Sequence, residues 1–194
     1  MSSRTVASPA ELTLRAVPAI KEIDAAGWNA CANPQAQANS ESGGIGEFTS
    51  EYPRNPFISY EFLSSLEDSG SAVARTGWQP QHLVADAPDG SIAGVVPCYL
   101  KAHSRGEYVF DRGWAEAYER AGGSYYPKLQ VSVPFTPATG RRLLLRPSPG
   151  ADQVRDGLIA GLIELCRRHE TSSVHFTFLP EAECQAPARR AARA

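Results

Sequence analysis

The segment from Tyr125 to Pro147 reads Tyr-Tyr-Pro-Lys-Leu-Gln-Val-Ser-Val-Pro-Phe-Thr-Pro-Ala-Thr-Gly-Arg-Arg-Leu-Leu-Leu-Arg-Pro. Two apolar runs, Leu129–Val133 and Arg141–Leu145, flank a proline-rich corner at residues 134–140. The first run alternates apolar and polar residues, as a half-buried strand does. One lysine and three arginines lie beside the two runs. The segment therefore combines sheet framework with a surface that could hold an anion.

The overall composition is that of a globular protein. The chain has 194 residues, of which 42% are hydrophobic and 21% charged, and this length suits one domain of about 100–200 residues. A formal net charge of −2 provides no broad attraction for nucleic acid or an anionic membrane. The longest apolar run, Ile92–Leu100, is shorter than the ~20 residues of a membrane helix, and the polar start lacks the apolar core of a signal peptide. We expect a cytoplasmic protein that binds no DNA and does not insert into a membrane.

The cysteines and histidines give no sign of a metal site. The four cysteines form no CxxC pair, and no histidine lies at ligand spacing from them. We expect inert or buried thiols and no bound metal. The histidines are isolated in the sequence, and we interpret them as surface or packing residues rather than catalytic ones. They are His82, His103, His169 and His175.

Apolar periodicity predicts an alternation of strands and helices on both sides of the opening segment. The predicted elements are a strand at 12–17, a helix at 20–32, a helix capped by Ser59, a hairpin of strands 81–87 and 91–103 around Asp89-Gly90, a strand at 106–111, a helix at 112–122, a helix at 151–170 and a strand at 173–179. Pro97 lacks an N–H for the sheet, so we expect a bulge or an open side there. Trp28 is predicted to be a packing residue. This order predicts an α/β (α+β) fold with one mixed, mostly antiparallel sheet and helices on both faces.

Three polar stretches are predicted to lie outside the packed core. Residues 1–10 form a loose N-terminus, and residues 33–54, rich in Gly, Ser, Asn and Gln, form a mobile loop. Residues 181–194 contain no Leu, Ile, Val or aromatic residue and are predicted to be a disordered tail. A basic arm for nucleic acid and a truncation scar are the alternatives for this tail. A single domain spans 11–180.

Three stretches resemble a known family. They are Asn55-Pro-Phe-Ile-Ser-Tyr-Glu-Phe-Leu-Ser-Ser-Leu-Glu-Asp-Ser-Gly70, Gly77-Trp-Gln-Pro-Gln-His-Leu83, and the opening segment from Tyr125 to Leu144. They are similar to the bacterial Fem-like family of peptidoglycan biosynthesis and recognition proteins, within the GNAT acyltransferase superfamily. The resemblance extends from Ile20 to Glu183.

This resemblance implies a GNAT-like acyl-CoA N-acyltransferase fold. Fem-type relatives carry two such domains and transfer an acyl or aminoacyl group, from acyl-CoA or aminoacyl-tRNA, to an amine. By this resemblance the chain is the N-terminal one of two domains. The implied partners are a small-molecule or peptidoglycan-precursor amine acceptor and a second GNAT-like domain. An exposed sheet edge left without that second domain would instead favour a homodimer.

Candidate residues for the acceptor side follow from this interpretation. A tyrosine or aspartate near the amine can act as general acid or base, and Asp111 and Tyr126 are the candidates for catalysis. Lysine and arginine can hold a carboxylate or phosphate by charge-assisted hydrogen bonds. The candidates for acceptor binding are Trp114, Lys128, Arg141 and Arg142. The alternative is that the lysine and the arginines are solvated charges at strand ends.

A donor site for acyl-CoA (acetyl-CoA) is weakly supported. GNAT folds hold the pyrophosphate with free backbone N–H groups of a glycine-rich loop at a helix N-terminus. The equivalent stretch, Arg146–Arg155, has one glycine, Gly150, two prolines that remove donors, and Asp152 where an anion would lie. Arg146 and Gly150 are the candidate donor-binding residues, with Arg155 in partial compensation. Two hypotheses therefore stay open: an N-acyltransferase, or half of one, and a non-catalytic recognition or remnant domain.

Overall fold

The computed structural model describes residues 12–34, 54–108, 110–181 and 183–184. Nearly all of the predicted loop at 33–54, the predicted N-terminus and most of the predicted tail lie outside these residues. The described elements are β1 Thr13–Val17, α1 Ala25–Ala32, α2 Tyr60–Asp68, β2 Trp78–Pro80, β3 His82–Asp86, β4 Ile92–Val96, β5 Cys98–Lys101, α3 Arg112–Arg120, β6 Lys128–Val131, β7 Leu144–Leu145, α4 Ala151–Arg168 and β8 Val174–Phe176. Three short 3-10 turns, Ile20–Glu22, Pro56–Ile58 and Ala74–Thr76, lie between them.

The strands form two four-stranded sheets rather than the one sheet predicted. The first has the order β1-β3-β4-β7 and is antiparallel throughout. The second has the order β2-β5-β6-β8 and is antiparallel except for the parallel pair β6–β8. The fold is therefore a mixed α+β arrangement with mostly antiparallel sheets. This general class is as predicted, although the number of sheets is not.

The hairpin predicted around Asp89-Gly90 links the two sheets. Its strands β3 and β4 pair in the first sheet, and their continuations β2 and β5 pair in the second. The breaks fall at Gln81 and at Pro97, where proline has no N–H to offer. Across the junction, the backbone N–H of Gln81 donates to the carbonyl of Cys98 at 2.8 Å. The irregularity predicted at Pro97 is thus the point where the chain passes from one sheet to the other.

The first sheet is covered on both faces. Along β3 the side chains alternate, so that Val84 faces the core beneath α1 and α2 while Leu83 faces α4. Trp28 of α1 is fully buried in the first core, and its indole N–H donates to the carbonyl of Ile58 at 2.9 Å. Its predicted packing role is confirmed. Leu129 and Val131 of β6 also contribute to the core under α4, which therefore joins the two sheets.

Several predicted elements are shorter or absent. The helix predicted at 20–32 is interrupted before Asp24, which caps α1 by accepting a hydrogen bond from Gly27 N at 2.6 Å. The strand predicted at 106–111 is wrong for its described residues, because Gly106 and Tyr108 have φ values of 83° and 68°.

The apolar run Arg141–Leu145, expected to be part of the sheet framework, forms a strand at Leu144–Leu145. The backbone N–H of Arg142 instead donates to the carboxylate of Glu183 at 2.9 Å. The helix cap predicted at Ser59 is confirmed, since its hydroxyl accepts from Phe62 N.

Gly94 tests the packing of β4 against α4. A Cβ at this position would lie 2.8 Å from Val154 Cγ1 and 3.0 Å from Leu158 Cδ1. We expect Gly94→Ala to lower the free energy of unfolding by about 1–3 kcal/mol through overpacking, measured by urea denaturation. The control is Gly113→Ala in α3, where a Cβ meets nothing within 4 Å and the change should be neutral or stabilising by up to about 1 kcal/mol. Unaltered stability of Gly94→Ala would contradict this packing.

Candidate functional site

Buried charged side chains concentrate on the second sheet. Lys101 of β5 and Lys128 of β6 are register partners, and both are fully buried. Glu107, from the turn after β5, is also buried. Like charges placed opposite each other in a sheet are destabilising, and buried charges are costly unless they are paired. The two buried lysines therefore require compensating partners, or a function that accounts for their cost in stability.

Lys128 is paired with two carboxylates. Its Nζ donates to Glu107 Oε2 at 2.8 Å and to Asp111 Oδ2. The Tyr125 hydroxyl donates to the same Asp111 oxygen at 2.9 Å. We call Lys101, Glu107, Asp111, Tyr125, Tyr126 and Lys128 together the Lys128 cluster. Its residues come from β5, the following turn, the start of α3, and the approach to β6.

Lys101 has a different environment from Lys128. Its Nζ donates to the carbonyl of Arg105 at 2.9 Å and lies 3.9 Å from the centroid of the Trp78 ring. The ring face attracts the ammonium group by a cation–π interaction. Burial lowers the pKa of Lys101 to about 8, against the opposing effect of the Glu107 charge. Lys101 can therefore release a proton much closer to neutral pH than an ordinary lysine.

The environment moves the two carboxylates in opposite directions. Burial raises the pKa of Glu107, although Lys128 opposes the shift. At Asp111 burial also acts upward, but hydrogen bonding to Lys128 and its charge outweigh burial and lower the pKa. Pairs of groups with separated pKa values are typical of acid–base sites. Glu107 is the better proton acceptor of the two, and Asp111 stays ionised.

Two polar atoms of the cluster are buried without a hydrogen-bond partner among the described residues. They are Glu107 Oε1 and the hydroxyl oxygen of Tyr126. The Ser104 side chain lies close enough to the Tyr126 hydroxyl to act against the rise in its pKa. Burial, followed by the charge of Glu107, raises the pKa of Tyr126 to about 12, so this phenol is protonated at neutral pH. Buried polar atoms are nearly always paired in folded proteins, so these two indicate a site for a ligand or water.

The structure brings together three of the residues proposed from the sequence. Asp111, Tyr126 and Lys128 all belong to the Lys128 cluster, and Lys128 Nζ lies 5.7 Å from the centroid of the Tyr126 ring. Trp114 lies on the first turn of α3 and is exposed. The alternative of a solvated strand-end charge is wrong for Lys128, because its side chain is fully buried.

The two neighbouring arginines hold backbone. Arg141 donates to the carbonyls of Cys31 and Ala32, the second at 2.7 Å, at the end of α1. Arg142 is fully buried, so the solvated alternative is wrong for it as well. Its guanidinium donates to four carbonyls, those of Ala138, Gly140, Arg141 and Thr177. In this arrangement Arg142 fixes the proline-rich corner to the chain after β8.

The two candidate donor-binding residues are Arg146, beside a cleft, and Gly150, at the start of α4. Arg146 lines a cleft of about 430 Å³ together with Asp24, Gly27 and Gly90. Gly150 directly precedes α4, and a Cβ there would meet nothing within 4 Å. In the first turn of α4, Asp152 forms an ion pair with Arg155. A negative side chain thus occupies the end of the helix where an anionic donor would bind.

Sequence reasoning missed Glu107, Lys101 and Tyr125 as members of the site. Residues 106–111 were predicted to be a strand, which concealed the turn that carries Glu107 inward. The available signal was Lys101 itself, a charged residue within a run predicted to be a buried strand. His175 of β8 was also passed over, and its ring centroid lies 5.9 Å from that of Tyr125. Burial lowers the pKa of His175, which favours its neutral form.

One further histidine and two cysteines are buried in the core. His82 is fully buried, with its Nε2 2.8 Å from Glu67 Oε1, and it packs edge-on against Trp28 and Tyr99. Its predicted packing role is confirmed. Cys31 and Cys98 are free and buried, as predicted for inert thiols. Burial raises their pKa values to about 11 and about 12.

A family model described as peptidoglycan biosynthesis/recognition, FemAB-like, matches residues 19–193. The chain belongs to the FemAB-like family. The match contains the whole Lys128 cluster and the stretches that carried the resemblance in the sequence. A comparison with curated proteins finds no significant match. Within the described part of this FemAB-like chain, none of the helices has the length and apolar character needed to cross a membrane.

Proposed function

We propose that this FemAB-like chain is an N-acyltransferase with a GNAT-like fold, or one half of a two-domain enzyme of this kind. It would transfer an acyl or aminoacyl group to an amine of a peptidoglycan precursor. The Lys128 cluster would form the acceptor side. The observation that supports this most is the pair of carboxylates on one buried lysine, next to a protonated and unpaired phenol.

The chemistry of amide formation suits such a cluster. The amine nitrogen forms a bond to the acyl carbon, and the bond from that carbon to the sulfur or oxygen of the donor breaks. The ammonium form of the acceptor first gives one proton to solvent; the neutral nitrogen then loses one proton as the new bond forms, and the leaving group gains one. We assign to the protonated Tyr126 hydroxyl the role of proton donor to the leaving group. Asp111 keeps Lys128 and Tyr125 in position, because its Oδ2 accepts from both.

For the donor we propose acyl-CoA, with Arg146 and Gly150 as its candidate contacts. Arg146 supplies a positive charge in a cleft large enough for part of a cofactor. An aminoacyl donor is the alternative, since the ion pair of Asp152 with Arg155 weakens any anion site at the start of α4. A second GNAT-like domain or a second copy of the chain would complete the enzyme.

A non-catalytic recognition domain is the second candidate function. It is favoured by Asp152 in the first turn of α4 and by the prolines before it, which together leave a poor pyrophosphate cradle. Thermal unfolding with millimolar acetyl-CoA separates the two candidates. A donor that binds the folded chain raises the melting temperature, whereas an unchanged melting temperature favours the recognition domain or an aminoacyl donor.

Transfer itself is tested by mass spectrometry. The chain is incubated with an amine-bearing peptidoglycan precursor and either acetyl-CoA or an aminoacyl-tRNA, and the precursor is expected to gain the mass of the acyl group. Tyr126→Phe should lower kcat by about 100-fold if the hydroxyl transfers a proton. Tyr60→Phe, in α2 and outside the cluster, is the matched control and should retain the rate. The acyltransferase proposal fails if the wild-type chain acylates the precursor with neither donor.

A further inference from the structure

One oxygen of the Glu107 carboxylate is hydrogen-bonded, and the other has no partner among the described residues. Oε2 accepts from Lys128 at 2.8 Å, whereas the buried Oε1 has no hydrogen-bond partner among the described residues. The Glu107 side chain is only 2% exposed. A carboxylate oxygen withdrawn from water without a donor is costly. The geometry therefore points to a donor group that binds there in the working protein.

The Tyr126 hydroxyl is the second unpaired group of the cluster. Its oxygen is buried without a partner in the described part of the chain, and it lies close enough to Glu107 for that charge to raise its pKa. A carboxylate oxygen accepts only, and a phenol hydroxyl both accepts and donates. The two atoms together suit a ligand with several N–H donors. A primary ammonium group has three such donors.

The surroundings of the two atoms also suit a cation. Aromatic rings attract cations through their faces, and the Tyr125 and Tyr126 rings already lie 5.6 and 5.7 Å from Lys128 Nζ. The cluster balances two lysines with two carboxylates, so an incoming ammonium group adds one positive charge. Lys101, with its pKa lowered to about 8, is the member that can release a proton to restore the balance.

The cluster is connected to the surface on one side. The Asp111 side chain is 16% exposed, and Tyr126 is half-buried. Tyr108 and Phe110, close to Glu107 in the chain, are exposed. Because Glu107 Oε1 is itself buried, an amine that enters past Asp111 and Tyr126 would reach it only after these side chains move.

We propose that Glu107 Oε1 and the Tyr126 hydroxyl form the receptor for the primary amine of the acceptor, and that Glu107 is its main contact. This assignment rests on the proposed function for the identity of the ligand as an acyl acceptor. The amine site itself rests on the unpaired atoms. Glu107 is therefore a specificity-determining residue that distinguishes a free amine from an acylated one.

The test compares two probes on the full 194-residue chain. One is the stem pentapeptide of a peptidoglycan precursor with a free side-chain amine, and the other is the same peptide with that amine acetylated. By isothermal titration calorimetry we expect the free amine to bind about ten-fold or more tightly, since a hydrogen bond to a charged group is lost on acetylation. Glu107→Gln should remove most of this difference. Glu164→Gln, on the exposed side of α4, is the matched control and should keep it.

The outcomes separate this inference from the proposed function. Equal affinities for the two peptides, no binding of either, or an undiminished difference in Glu107→Gln would each overturn the amine site. If Glu107→Gln does not fold, as judged by near-UV circular dichroism, Tyr126→Phe takes its place with a smaller expected loss of about three-fold. Amine-selective binding without any acyl transfer would contradict the proposed enzyme and support the receptor. Transfer with an unaltered KM in Glu107→Gln would place the amine elsewhere.

Discussion

Lys128→Met is expected to lower the free energy of unfolding by about 3–5 kcal/mol, because it leaves the buried Glu107 and the half-buried Asp111 without their counter-ion. Urea denaturation at pH 7, followed by tryptophan fluorescence, measures the loss. The matched control is Lys21→Met, since Lys21 is exposed in the 3-10 turn before α1. Its effect should stay within about 0.5 kcal/mol.

The pH dependence of this loss provides a second measurement. In Lys128→Met the two carboxylates need no counter-ion once they are protonated, so the deficit should shrink as the pH is lowered through their pKa values. The wild type itself loses stability at Asp111 as the pH falls. Asp111 has a lowered pKa in the folded state, so its contribution to stability is present above the unfolded pKa and is lost as the pH falls through the folded one. A deficit below about 1 kcal/mol at pH 7 would contradict the paired arrangement of Lys128.

Arg142→Met is expected to have an effect of similar size, about 3–5 kcal/mol. The fully buried guanidinium donates to four backbone carbonyls, and methionine fills similar space without any donor. The carbonyls at the proline-rich corner and after β8 would then lack partners. Arg168→Met is the control, because its side chain is 73% exposed and pairs with Glu164 at the surface. The role of Arg142 would be refuted by equal stabilities of the two variants in the same urea titration.

The parts of the fold that depend on local chemistry were accessible from the sequence. Ser59 precedes an apolar helical pattern and caps α2, and Asp89-Gly90 joins two β-rich runs and turns the hairpin. Pro97 was recognised as an irregularity, but its consequence, a change of sheet, depends on which strands β5 meets. The pairing of β5 with β2 and β6 is set by residues far apart in the chain, so it cannot be predicted from the local sequence of β5.

Some residues of the candidate site could also be predicted from the sequence, and others could not. Asp111, Tyr126 and Lys128 could be proposed because their residue types suit acyl transfer and they lie near the segment that carries the resemblance. That Lys128 would be buried between two carboxylates could not be seen, because Glu107 reaches it from a turn 21 residues earlier. The function of Arg142 was also hidden, since its acceptors are backbone carbonyls, and any residue type can supply a backbone carbonyl.

The two buried lysines connect the fold with the proposed chemistry. A sheet that served only as framework would gain nothing from placing Lys101 opposite Lys128, since apolar residues of similar volume are often at least as stabilising. Their presence in a cluster that reaches the surface at Asp111 is understandable if the cluster binds a charged ligand. In this account the buried charges lower the stability of the fold, and what they provide is selectivity for an amine.

Steady-state kinetics of acyl transfer to the free-amine precursor test the central claim most directly, with the wild-type chain compared with Glu107→Gln and Glu164→Gln. The account predicts an acylated product from the wild type and an increase of about ten-fold or more in the KM for the precursor in Glu107→Gln. Glu164→Gln should match the wild type. A wild-type chain that forms no product with acetyl-CoA or aminoacyl-tRNA, or a Glu107→Gln variant with wild-type KM and kcat, would contradict the account.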